Sequence, residues 1–224
     1  MTDSRDNDAT DDEIAFHEAG HALVTLAQGG RIEYVTIEPD AERLGHVRYS
    51  HLHHHLPTLV ARLRRDRMAR WSARSHLLDR ARFAAAGPVA EGLRRGVTSP
   101  PGWGVGGAVL WDAPSGAIPD TYGSDVENIY AAFRFIAGDT CASVGYEWRL
   151  LRELRAYFNA RREVLRDLAV MLLRERTIPG EAVTAAVWQL CERRGVSPYD
   201  PLVCRSWWKA PPTPPDPTEE KTDR

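Results

Sequence analysis

The stretch "AFHEAGHA", residues 15–22, places His17 and His21 four residues apart, with Glu18 beside the first. On an α-helix, positions i and i+4 share a face. Both imidazoles can then aim one nitrogen at a common point. Glu18 stands about 100° further round the helix, near enough to reach a water at that point without being a ligand. This is the pattern of hydrolytic zinc sites, in which two histidines hold the ion and the glutamate serves as base. Zinc brings the pKa of a bound water toward about 7, and a neighbouring carboxylate takes its proton as it attacks a carbonyl. The plainer alternative is a helix carrying two ordinary histidines. The small residues Ala19, Gly20 and Ala22, which leave room for neighbouring chain, suit either reading.

Working outward, residues 12–28 read as a helix capped by Asp11 or Asp12 and ended by Gly29-Gly30. "RIEYVTIEP" (31–39) and "RLGHVRYS" (43–50) alternate as strands and form a hairpin. Helices are expected over 57–70 and 74–95, the second with a break or kink at Gly87-Pro88. Residues 97–123 are rich in glycine and proline and read as a long loop. Its Trp103 and Trp111 suit a lid, a partner contact or a tuck against the core. "SDVE" (124–127) is a capping box that opens a helix to about residue 137. A long helix over 146–176 and a last one to about 194, opened by "TIPGEAV" (177–183), complete a mainly α chain with a small β-hairpin or sheet. Residues 1–10 read as a disordered acidic N-terminus, 11–209 as the domain, and 210–224, with five prolines, as a disordered tail.

The 224 residues are enough for one sizeable core, and 43% hydrophobic with 27% charged content describes an ordinary globular chain. A net charge of −2 argues against a general polyanion binder, so no nucleic-acid partner is expected. Cys141, Cys191 and Cys204 form no close pair and suit reduced thiols. No signal peptide and no apolar run of about 18 residues is visible. A soluble cytoplasmic protein without a membrane span is expected.

The motif and its surroundings resemble the peptidase domain of the FtsH family, membrane-bound AAA+ zinc metalloproteases. The likeness runs over about residues 12–190. "VTIEPDAERLGHVRYS" (35–50) is similar to that family's strand pair, in which V-x-I-x-P precedes L-G-Y. "HLLDRARFAAAGPVAEGLRRG" (76–96) is similar to a following helix, with Leu77, Leu78, Asp79, Gly87, Ala90, Glu91 and Gly96 in matching places. "VT" (97–98) begins a family loop, and "SDVENIYAAFRFIAG" (124–138) is similar to a later helix start. The resemblance implies a zincin-type helical peptidase domain with one zinc ion per chain. It implies Asp125 as third ligand beside His17 and His21, and Glu18 as general base. Glu91 matches the first of a pair of family glutamates and suits either a residue that orients His17 or His21 through the ring nitrogen turned away from the metal or a surface carboxylate. A carboxylate in a first helical turn, as at Asp125, is well tolerated there.

The departures also matter. The chain carries no Walker A motif, has an insertion at about 99–121, and has Pro88 and Gly92 where the family has Arg and Glu. The expected activity is a zinc-dependent metalloendopeptidase acting on unfolded or flexible polypeptide, alone or with a separate ATPase or oligomeric partner. The substrate would add as a strand along the hairpin at Val35, Ile37, Gly45 and His46. The alternative is a zinc-binding, non-proteolytic docking or regulatory module. "HLHHHL" (51–56) reads as an exposed loop beside the cleft rather than a fixed metal site. The eight arginines of 61–82 read as a solvated helix face, with Leu63, Met68, Trp71 and Leu78 interleaved.

Overall fold

The computed structural model describes residues 10–40, 44–50, 67–96, 129 and 140–197. Helix α1 (Asp11–Ala27) is followed by strands β1 (Arg31–Thr36) and β2 (His46–Ser50). Helices α2 (Arg67–Arg94), α3 (Thr140–Ala160) and α4 (Arg162–Glu175) come next. Strand β3 (Thr177–Pro179) then leads into α5 (Gly180–Arg194). The described residues are mainly helical with a small three-stranded sheet, as the sequence suggests. Among the described residues no helix is long and apolar enough to cross a membrane. The acidic N-terminus up to residue 9, the "HLHHHL" tract, the 97–123 loop with its two tryptophans and the proline-rich tail lie outside the described residues.

Helix α1 begins one residue earlier than expected, and its cap is Thr10 rather than either aspartate. The Glu13 backbone N–H donates to Thr10 Oγ1 at 3.3 Å, and the Thr10 N–H donates to Glu13 Oε2 at 3.1 Å. That is a reciprocal capping box, which leaves Asp11 and Asp12 to favour the helix N-terminus by charge. Beyond its first turn the helix is buried: Ala15, Ala19, Ala22, Leu23 and Leu26 all belong to the core. It packs against α2, α4 and β1. Its crossing with α2 is tight because Gly20 has no side chain. A Cβ there would lie 2.6 Å from Ala90 Cβ and 2.7 Å from the Ala86 carbonyl oxygen, so small residues on both helices set the separation.

Burial pushes the Glu13 carboxyl up, but the Thr10 backbone N–H and the Arg95 and Arg94 guanidiniums outweigh it and hold it below the usual value. Charged Glu13 therefore stabilises the fold above its unfolded pKa of about 4.3, and that contribution disappears as pH falls through the lower folded value. Thermal midpoints across pH should show wild type exceeding Glu13→Gln most above about pH 5, with the gap closing in acid. A gap that stays constant from neutral to acid would show that the charge of Glu13 contributes nothing.

The sheet has order β2-β1-β3, with both pairings antiparallel. Val35 pairs with Val47 on one side and Ile178 on the other. Thr36 and Thr177 add a hydroxyl–hydroxyl bond of 2.7 Å. The third strand is not foreseen by the sequence, which reads 177–183 as the opening of a helix. Three residues are too few to display alternation.

Two helical expectations also change. The stretch read as separate helices over 57–70 and 74–95 is, where described, one helix from Arg67 that runs through Pro88 without a break. Proline removes one N–H, which would have bonded the Ala84 carbonyl, and packing on α1 sustains the rest. Conversely, the single helix expected over 146–176 is divided at Arg161 into α3 and α4. Arg161 is buried, lies 4.2 Å over the Tyr157 ring and donates to the Ser197 carbonyl through Nε at 3.1 Å and Nη2 at 2.7 Å. Of the arginine-rich stretch, Arg82 is likewise a buried residue, paired with Asp79 at 2.9 Å.

Candidate metal centre

His17, Glu18 and His21 occupy the middle of α1, a largely buried helix. The capping box fixes where the helix starts, and the 3.6-residue repeat brings the two imidazoles together. Their Nε2 atoms are 3.0 Å apart, and the rings meet edge to face with centroids 4.8 Å apart.

Each outer ring nitrogen faces an acceptor. His21 Nδ1 lies 2.9 Å from the Phe83 carbonyl oxygen on α2. That oxygen can only accept, so the proton of neutral His21 belongs on Nδ1 and Nε2 presents a lone pair. His17 Nδ1 lies 3.5 Å from Glu91 Oε2, also on α2, and the same assignment follows. The 3.0 Å between the two Nε2 atoms is hydrogen-bond distance when one of them carries a proton, and with both protons on Nδ1 the two lone pairs converge on a point that a cation can occupy. Two zinc–nitrogen bonds of about 2.0–2.1 Å span such a separation. A carbonyl on one outer nitrogen and a carboxylate on the other is also the support that ligating histidines commonly receive. The two side chains therefore fit a divalent metal.

Helix α2 forms the second wall. Phe83 stacks on His21 with centroids 4.5 Å apart and 29° between planes, and it also meets Tyr49 of β2 at 4.5 Å. One turn on, Gly87 lies directly against His17. A Cβ on Gly87 would stand 2.5 Å from Cδ2 and 2.6 Å from Cε1 of the imidazole. Glu91 completes this face. Its Oε1 pairs with Arg95 Nη2 at 2.6 Å.

Glu18 is 5% exposed. Gly45, just ahead of β2, covers it, since a Cβ there would lie 3.2 Å from Glu18 Cγ and 2.7 Å from Ile14 Cγ2. The structure thus brings His17, Glu18, His21, Glu91 and Gly45 together. Asp125 lies outside the described residues, and among those described no group of three or more His, Cys, Asp or Glu side chains could hold a metal.

The expected substrate strand needs correction in two of its four residues. Val35 belongs to the central strand and Ile37 follows it. Both are fully buried, Val35 is paired on both sides, and the Ile37 N–H donates to the Arg176 carbonyl at 2.9 Å. Neither can offer its main chain to an added strand. The edge next to Glu18 is β2, which begins at His46. The His46 side chain turns to the sheet face of Tyr34, whose hydroxyl lies 2.8 Å from His46 Nε2.

Three contributors are missed by sequence reasoning: the Phe83 carbonyl, the absent side chain of Gly87, and Arg95. The Gly87-Pro88 pair carries the only local signal, because it marks the turn of α2 that lies against the histidines.

Compared with known proteins, the chain matches no protein-family model and no curated protein.

Proposed function

We propose that the chain is a zinc-dependent metalloendopeptidase of the zincin type, similar in its site to the FtsH peptidase domain. The observation that carries this reading is the convergence of His17 and His21 Nε2 at 3.0 Å, with an acceptor facing each outer nitrogen and Glu18 adjacent. His17 and His21 would hold the ion with Asp125 as third ligand, leaving one position open. Zinc held there would supply a Lewis acid for activating water and polarising the scissile carbonyl.

The remaining chemistry belongs to the chain. Glu18 takes the proton of the attacking water on its carboxylate and delivers it to the nitrogen of the leaving amine. Its burial under Gly45 keeps the carboxylate in place and limits competing water. The β2 edge aligns an extended segment by main-chain hydrogen bonds, which selects unfolded or flexible polypeptide over particular side chains. Gly45 lets the chain entering the β2 edge lie close against Glu18.

Metal analysis of the purified protein should give about one zinc per chain, lost in His21→Ala and in Asp125→Asn, with casein cleavage lost on chelation and restored by zinc. Absence of stoichiometric zinc from the wild type would end the proposal. Zinc binding without turnover on unfolded substrates would replace it with the docking-module reading.

A further inference from the structure

Resting on the peptidase reading, we propose that Arg95 is a positioning residue for the metal centre: it holds Glu91 against His17 and ties that contact to the N-terminal cap of α1. The connection uses both oxygens of two carboxylates. Glu13 Oε2 accepts the Thr10 N–H at 3.1 Å, and Glu13 Oε1 accepts from Arg95 Nη2 at 2.7 Å and Nε at 3.1 Å. The same Nη2 meets Glu91 Oε1 at 2.6 Å, and Glu91 Oε2 faces His17 Nδ1 at 3.5 Å.

The physical case is one of charge and rigidity. The Glu91 side chain is 7% exposed. A carboxylate so enclosed needs a cation beside it to remain in place. Arg95, one turn along at i+4, supplies that cation on the oxygen facing away from His17. Its planar fork reaches two carboxylates at once, which a lysine ammonium does less well. Glu13 in turn fixes the guanidinium from the other helix. A carboxylate held on the outer nitrogen of a ligating histidine fixes the ring and raises its basicity, and losing such a partner commonly costs about 10–100-fold in metal affinity.

Arg94 provides the control. It belongs to the same network, with Nη1 at 2.5 Å from Asp12 Oδ2 and Nη2 at 3.0 Å from Glu13 Oε1, and it carries the same charge. Arg95→Gln should weaken zinc binding about ten-fold, measured by competition with a chromophoric chelator, whereas Arg94→Gln stays near wild type and Arg95→Lys recovers part of the loss. Thermal midpoints of the variants separate this effect from general destabilisation. Equal zinc affinity in Arg95→Gln and Arg94→Gln would overturn the inference.

A second measurement needs no metal. In zinc-free protein at about pH 8, above the ordinary imidazole pKa, nitrogen-15 spectra should place the His17 proton on Nδ1 in wild type. Arg95→Gln should move part of it to Nε2. Unchanged spectra overturn the role of Arg95. A wild type that takes up no zinc overturns the peptidase reading instead, so the two failures are distinguishable.

Discussion

Glu18→Gln is expected to abolish peptide-bond cleavage while one zinc ion per chain remains bound. The substitution keeps side-chain volume under Gly45, where packing is close, and leaves both histidines untouched. It removes only the proton acceptor. General-base assistance is worth about 10²–10⁴-fold, so kcat/KM on an unfolded or fluorogenic peptide substrate should fall by at least about 100-fold. KM should change little, because the amide reproduces the shape of the carboxylate. Zinc content and thermal midpoint, measured on the same preparation, separate lost chemistry from lost structure. Activity within about ten-fold of wild type would remove Glu18 from this role.

The second large effect is expected at Gly87, where two physical tendencies oppose each other. In a helix interior, Gly→Ala ordinarily stabilises by about 0.5–1 kcal/mol. Here the added methyl would enter the His17 imidazole. Relief requires either α2 or the ring to move. Helix α2 is already pressed on α1 where Ala86 and Ala90 meet Gly20, so the ring is the part that yields. Overpacking of this kind costs about 1–3 kcal/mol, enough to reverse the propensity gain. Gly87→Ala should therefore be destabilised, and its zinc affinity should fall by an order of magnitude or more as His17 leaves its partner histidine. Calorimetry and chelator competition check the two effects. A variant more stable than wild type with unaltered zinc affinity would show that helix propensity wins and that the approach of Gly87 to His17 is unimportant.

These two residues illustrate how far the sequence carries the reading. Glu18 is legible because its chemistry is local: an i, i+4 pair and its neighbour are fixed by helical geometry alone. The α1 helix and the β1–β2 hairpin are legible for the same reason. Their periodicities are long enough to count, and Gly29-Gly30 separates them. Gly87 is different. A glycine before a proline reads as a helix break, and only the packing of α2 on α1 shows it as the clearance for an imidazole. The division at Arg161 carries no glycine or proline and depends on a buried guanidinium seeking the Ser197 carbonyl. The capping threonine is obscured by two adjacent aspartates that are equally good caps in isolation. Val35 and Ile37 look like half of an edge hairpin until β3 pairs along the other side of β1. Arg95 and the Phe83 carbonyl lie far along the chain from the histidines they serve, and no local pattern announces them.

The placement of β3 has a consequence for the order of synthesis. The helix with the histidines leaves the ribosome ahead of its neighbours, and the Phe83 carbonyl that fixes His21 follows 62 residues behind it. The strand that closes the sheet is later still, with Thr177 coming 141 residues after its partner Thr36. At about 5–20 residues per second, the motif waits on the order of ten seconds before the sheet beside it can close. A nascent chain therefore carries the two histidines without their walls, and the sheet beside them stays open until residues 177–179 have emerged.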